Sequence, residues 1–211
     1  MLSRFFNPKH SDAVRLRIVG AFPRSLTSDV EKVLDAIPVA KHAPSSDDIG
    51  LITLEGESLN IPFRIYFPEP NQISLVLLTK LQRAILTCLY TRHHDGRVRE
   101  KYLREIIGAE ERWVIPFVLQ LAGEYIIEII KFLDQNSHQL KRENYSSFVK
   151  ANPAFCLITS QRIFSYWSCY FRHDPPFFNE HCGFMFAKEI GLWDEGVAKK
   201  MPKRKPVLKT G

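Results

Sequence analysis

Ile73, Val76, Leu77, Leu81, Ala84, Ile85, Cys88 and Leu89 recur every three or four residues, the spacing that lays side chains along one face of an α-helix. The same period continues downstream. Val98, Tyr102, Leu103 and Ile106 predict a second helix with Arg97, Lys101 and Arg104 on its outer side, stopped near Gly108. A third is predicted from Arg112 to Asp134, with Val114, Phe117, Val118, Leu121, Tyr125, Ile129, Ile130 and Leu133 along one side and Pro116 tolerated in its first turn. Further helices are expected from Leu140 through Lys150, from Ala154 to Phe171, and around Phe184 to Ile190, with Asp174-Pro175-Pro176 ending the longest of these.

Before residue 70 the pattern differs. Val14, Leu16 and Ile18 alternate with Arg15 and Arg17, which predicts a half-buried strand. Ser28 with Glu31 three residues on matches a capping box and predicts a helix from Asp29 to Ile37, closed by Pro38. The apolar runs Ile49 to Leu54 and Leu59 to Phe67, joined by Glu55-Gly56-Glu57-Ser58, predict a β-hairpin, and Pro62 places the second strand at a sheet edge. The expected class is therefore mainly α. A βαββ unit over residues 1–70 precedes a helical-hairpin stack over 71–196 and a disordered basic tail over 197–211.

Charge refines this division. The chain carries 29 Lys and Arg against 23 Asp and Glu, a formal +6. Lys199, Lys200, Lys203, Arg204, Lys205 and Lys209 hold that whole excess, so residues 1–198 are neutral and no whole-body field for polyanions is expected. Within the body, residues 80–104 are locally basic through Lys80, Arg83, Arg92, Arg97, Arg99, Lys101 and Arg104. The four cysteines, Cys88, Cys156, Cys169 and Cys182, lack the spacing of a disulfide scaffold. Met1 to Asn7 has no apolar run of signal-peptide type, and Trp113 to Leu133 is broken by Pro116, Gln120, Glu124, Glu128 and Lys131, so neither secretion nor a membrane span is expected. The expected location is the cytoplasm.

His94-Asp95-Gly96-Arg97-Val98-Arg99, followed by Leu103 and Ile106, resembles the opening of the second helix of a HEAT-type helical repeat. The resemblance spans residues 73–134 in a single copy. It implies a stack of α-hairpins that presents a surface to another macromolecule, because repeats of that family are usually binding scaffolds.

Four candidate features each have a structural reading beside a functional one. His93, His94 and Asp95 share a predicted inter-helix turn, which a helix cap at Asp95-Gly96 explains. Cys169, His173, His181 and Cys182 are zinc-compatible types, although His181 and Cys182 are adjacent where zinc signatures separate their ligands. Glu124 and Glu128 lie one turn apart and are expected on a solvated face with Gln120. Finally, nine large aromatics crowd the segment from Phe164 to Phe186, where Phe177 and Phe178 after Pro175-Pro176 are expected to be exposed.

No phosphate-binding loop, nucleophile elbow, HExxH or CxxC motif occurs in the sequence. The expected function is a non-catalytic module that binds another protein through Arg97, Lys101, Arg104, Phe177 and Phe178, of an accessory or toxin-neutralising kind and with no cofactor. Nucleic-acid association through residues 80–104 and Lys199, Lys200, Lys203, Arg204 and Lys205 is the alternative, and a zinc-dependent enzyme the second.

Overall fold

A computed structural model describes residues 10–193; the basic tail lies outside the described residues. Among them, ten α-helices accompany one two-stranded antiparallel sheet, a mainly α fold with a small N-terminal β unit.

The leading strand is instead a helix, α1 (Asp12–Val19). Ser11 caps it, its hydroxyl accepting from the Val14 amide, and Val14 and Ile18, four apart, share a face on which Ile18 is fully buried. Leu16 points the opposite way and is 73% exposed. Arg15 pairs with Glu31 and Asp35 of α2 (Thr27–Ala36), and Arg17 reaches Asp48 at 2.6 Å. The proposed capping box at α2 therefore does not form, because Glu31 turns to Arg15; Thr27 and not Ser28 bonds locally, to the Arg24 carbonyl.

The hairpin is tighter than expected. β1 (Ile52–Leu54) and β2 (Glu57–Leu59) pair with Leu54 opposite Glu57, leaving a two-residue turn at Glu55-Gly56. Both have positive φ, +50° and +84°, the type I′ geometry whose twist suits a hairpin and in which glycine is favoured. Asn152 covers the outer side of β1: its side-chain oxygen accepts from the Thr53 amide at 2.7 Å and its NH2 donates to the Thr53 carbonyl at 3.0 Å, replacing a neighbouring strand.

Two expected helices are each divided. The first becomes α3 (Gln72–Val76) and α4 (Lys80–Tyr90), since Thr79 and Gln82 form a capping box that starts a new helix. α5 (Gly96–Ile106) begins at Asp95, which accepts from the Arg97 amide at 2.8 Å. The long third helix breaks at Gly123 into α6 (Ile115–Ala122) and α7 (Ile127–Gln135). α8 (Arg142–Ala151), α9 (Pro153–Tyr166) and α10 (Cys182–Glu189) follow, and α9 continues into a wider π-type turn over Trp167–Phe171.

One apolar core runs from Ile18 to Leu192, so the β unit and the helices are packed around shared side chains, with α2 against α4. Gln82 donates to Asp29 at 2.7 Å across that seam. The boundary near residue 70 marks a change of pattern and does not divide the core. Among the described residues no helix is long and apolar enough to cross a membrane.

Candidate functional site: an arginine cluster beneath a tyrosine face

The break between α6 and α7 places Glu124 in the interior, 3% exposed, where the sequence suggested a solvated face. Gln120 is also buried, whereas Glu128 remains at the surface. An isolated buried carboxylate is costly unless it is paired. Three guanidiniums meet it: Arg64 at 3.0 Å, Arg99 at 3.2 Å and Arg92 at 3.8 Å.

Each arginine is positioned by backbone pairing. The Ile65 amide donates to the Arg92 carbonyl at 2.9 Å and the His94 amide to the Ile65 carbonyl at 3.0 Å, which joins the segment after the hairpin to the α4–α5 turn. Arg64 and Arg92 are thereby brought to one place. Arg99 donates to the carbonyls of His93 and His94 as well as to Glu124. A fourth arginine, Arg162 on α9, packs at Gly123, next to Glu124. It also shares the Phe63 ring with Arg64, their guanidinium carbons 5.2 and 4.2 Å from the ring centroid.

This corrects the expected basic surface over residues 80–104, since Arg92 and Arg99 leave it for the interior. Burial, reinforced by Arg64, Arg99 and Arg162 and opposed by Glu124, lowers the Arg92 pKa to about 9. Arg64 is lowered for the same principal reason. Arg97, Lys101 and Arg104 do line the exposed side of α5, but Lys101 pairs with Glu69, while Arg104 pairs with Glu100 and lies over Phe132. An open groove of about 510 Å³ between α4 and the end of α5 mixes Lys80 and Arg83 with Glu105, Glu110 and Glu111, and burial raises the Glu105 carboxyl.

Above the arginines lies an aromatic surface. Tyr125, expected in the core, is 53% exposed because the α6–α7 break turns it outward. It meets Tyr166 at 6.0 Å and Tyr170 at 6.5 Å between centroids, and those two lie 6.1 Å apart. Tyr170, in the π-type turn, is 64% exposed. Tyr166 and Tyr170 lie in a stretch with no Asp or Glu between Glu143 and Asp174, which carries Lys150, Arg162 and Arg172.

The remainder of the aromatic segment divides between inside and outside. Trp167 and Phe186 are buried, and Phe177 is exposed as expected. Phe178 is not: it is half-buried, set among Phe164, Trp167, Phe184 and Trp193 at 5.0–5.2 Å.

The zinc-compatible residues do not converge. Cys169 and His173 are exposed; His181 is buried, stacked on Phe171, and its Nδ1 accepts from the Gly183 amide at 3.2 Å as the cap of α10. Burial raises the Cys182 thiol to about 11. Among the described residues no group of three or more His, Cys, Asp or Glu side chains is placed to hold a metal ion. His93 also has a structural role: its Nδ1 accepts from the Asp95 amide at 3.1 Å, and its Nε2 lies 3.2 Å from the Phe67 carbonyl. No family model matches the chain, and no curated protein or solved structure matches it.

Proposed function

We propose that this chain is a non-catalytic protein-interaction module that docks an acidic partner protein on the face formed by Tyr125, Tyr166 and Tyr170. The observation that carries the reading is the tyrosine triangle, with Tyr125 and Tyr170 more than half exposed and with Tyr166 and Tyr170 in a stretch of chain free of acidic residues. Tyrosine and arginine dominate binding hot spots: tyrosine offers a large contact area on few rotors, and arginine a planar fork of hydrogen-bond donors. With Arg162 and Arg172 on the same stretch, the complementary surface is acidic. The HEAT-type resemblance of residues 94–106 points to the same class of role.

The test is partner binding by the full chain and by a folded Tyr125→Ala/Tyr170→Ala variant, using the protein recovered from source-cell lysate at low salt. The double variant is expected to bind at least about tenfold more weakly, the effect of roughly 1.4 kcal/mol. Binding should also weaken with added salt. Unchanged affinity in the folded double variant overturns the reading.

A further inference from the structure

The groove between α4 and the end of α5 is lined by charges of both signs that do not close on one another. Lys80 and Arg83 bring positive charge from α4, and Glu105 and Glu111 bring negative charge from the end of α5 and the turn after it. Among the described residues these four form no ion pair, whereas Glu110 is taken by Lys141 at 2.6 Å and Lys101 by Glu69. Two of the four are held by other bonds. Arg83 Nε donates to the Leu78 carbonyl at 3.3 Å, which leaves its two Nη groups without a protein partner among the described residues, and the Thr87 hydroxyl donates to Glu105. Thr87 and Ile106, 5% and 4% exposed, form the floor, and Ala84, Gly108 and Ala109 are small enough to leave the space above it open.

We infer that this groove binds a short zwitterionic peptide, with the terminal carboxylate on Lys80 and Arg83 and the terminal ammonium on Glu105 and Glu111. The charge pattern selects the class. A lone anion would meet the two cations but face the repulsion of the carboxylates, a lone cation would meet the reverse, and a ligand of both signs satisfies each set. Group chemistry narrows it further. The paired Nη donors of Arg83 match the two oxygens of a planar carboxylate. Glu105 and Glu111 only accept, so they require the N–H donors of an ammonium, which a quaternary ammonium lacks. An ammonium beside Glu105 also offsets the burial that disfavours its anionic form. The volume of 510 Å³ falls in the small-ligand range of roughly 300–1,000 Å³. A peptide separates its end charges by about 3.3–3.6 Å per extended residue, which suits a groove whose own cations and carboxylates do not meet.

The site is tested by titrating the full chain with trialanine in ligand-observed NMR, beside N-acetyl-trialanine and trialanine amide at the same ionic strength. Trialanine is expected to bind saturably and each blocked derivative at least about tenfold more weakly, because each leaves one pair of protein charges unmet. Lys80→Ala, at an exposed position, should weaken trialanine at least about fivefold and leave the amide unchanged, since the amide carries no carboxylate to lose. Glu111→Ala should do the same for trialanine and leave the acetylated peptide unchanged. No saturable binding of trialanine, equal affinity for the blocked derivatives, or undiminished binding in folded Lys80→Ala/Glu111→Ala overturns the site. The Tyr125→Ala/Tyr170→Ala variant should bind trialanine as the unaltered chain does, so groove and tyrosine face are tested apart.

Discussion

At Glu124 a single proton's worth of charge decides the state of three arginines. Glu124→Gln would leave Arg64, Arg92 and Arg99 without a counter-charge, and loss of one partner from a buried ionic group typically costs about 3–5 kcal/mol. Urea unfolding should show a loss of about 3 kcal/mol or more, while Glu128→Gln, at the surface, should stay within about 0.5 kcal/mol. The two histidines that accept backbone amides make a second prediction. Burial lowers the pKa of both His93 and His181; His94 lowers His93 further and Asp95 opposes. A base lowered on folding binds fewer protons folded than unfolded, so stability is intact above the usual histidine range and declines as pH falls below about 6.5. Protonation also turns each Nδ1 acceptor into a donor facing an N–H. Tm should drop by several degrees from pH 7.5 to 5.5, and His181→Asn, which keeps an acceptor at the cap without titrating, should reduce that slope. An equal slope in both proteins would remove His181 as a cause. None of these roles was legible in the sequence, because a lone glutamate after an apolar run reads the same whether its neighbours in space are water or arginines.

Among the elements, existence was legible and extent was not. Helical spacing located the α-helices from Ile73 onward, and from α4 on burial of one face imposes that period; α3 departs from it, since Ile73, Val76 and Leu77, expected inward, are 70–79% exposed. The breaks at Leu77–Thr79 and Gly123–Ile126 were missed because the hydrophobic period runs through them, and only the Thr79–Gln82 cap and the inward Glu124 impose a change of direction. Val14, Leu16 and Ile18 fit both periods over so short a run; Ser11 and the ion pairs of Arg15 and Arg17 decide for a helix. Two junctions test how tightly the elements are fixed. A Cβ at Gly96 would overlap Ile126 Cδ1, the mobile end of its side chain, so Gly96→Ala should cost about 1–3 kcal/mol, largely restored in Gly96→Ala/Ile126→Val. Asn152→Leu removes both bonds to Thr53 and should cost about 1–3 kcal/mol in chemical unfolding; a smaller loss than about 0.5 would mean that water serves β1 equally well.

For the whole molecule, the mainly α class followed from composition and period, whereas the meeting of residues 63–66, 92–99, 123–126 and 162–170 depends on contacts distant in sequence that no local pattern encodes. The aromatic richness of the last third was visible, but its division into a packed cluster around Phe178 and an exposed triangle at Tyr125, Tyr166 and Tyr170 was not, since both faces use the same residue types. Docking on that triangle is tested most directly by a photoreactive amino acid placed at position 170 in one protein and at position 16, which is also more than half exposed, in another, irradiated in source cells. A discrete protein adduct at 170, absent at 16 and suppressed by Tyr125→Ala, is the expected result. Identical adducts at both positions, or none at 170, would contradict it.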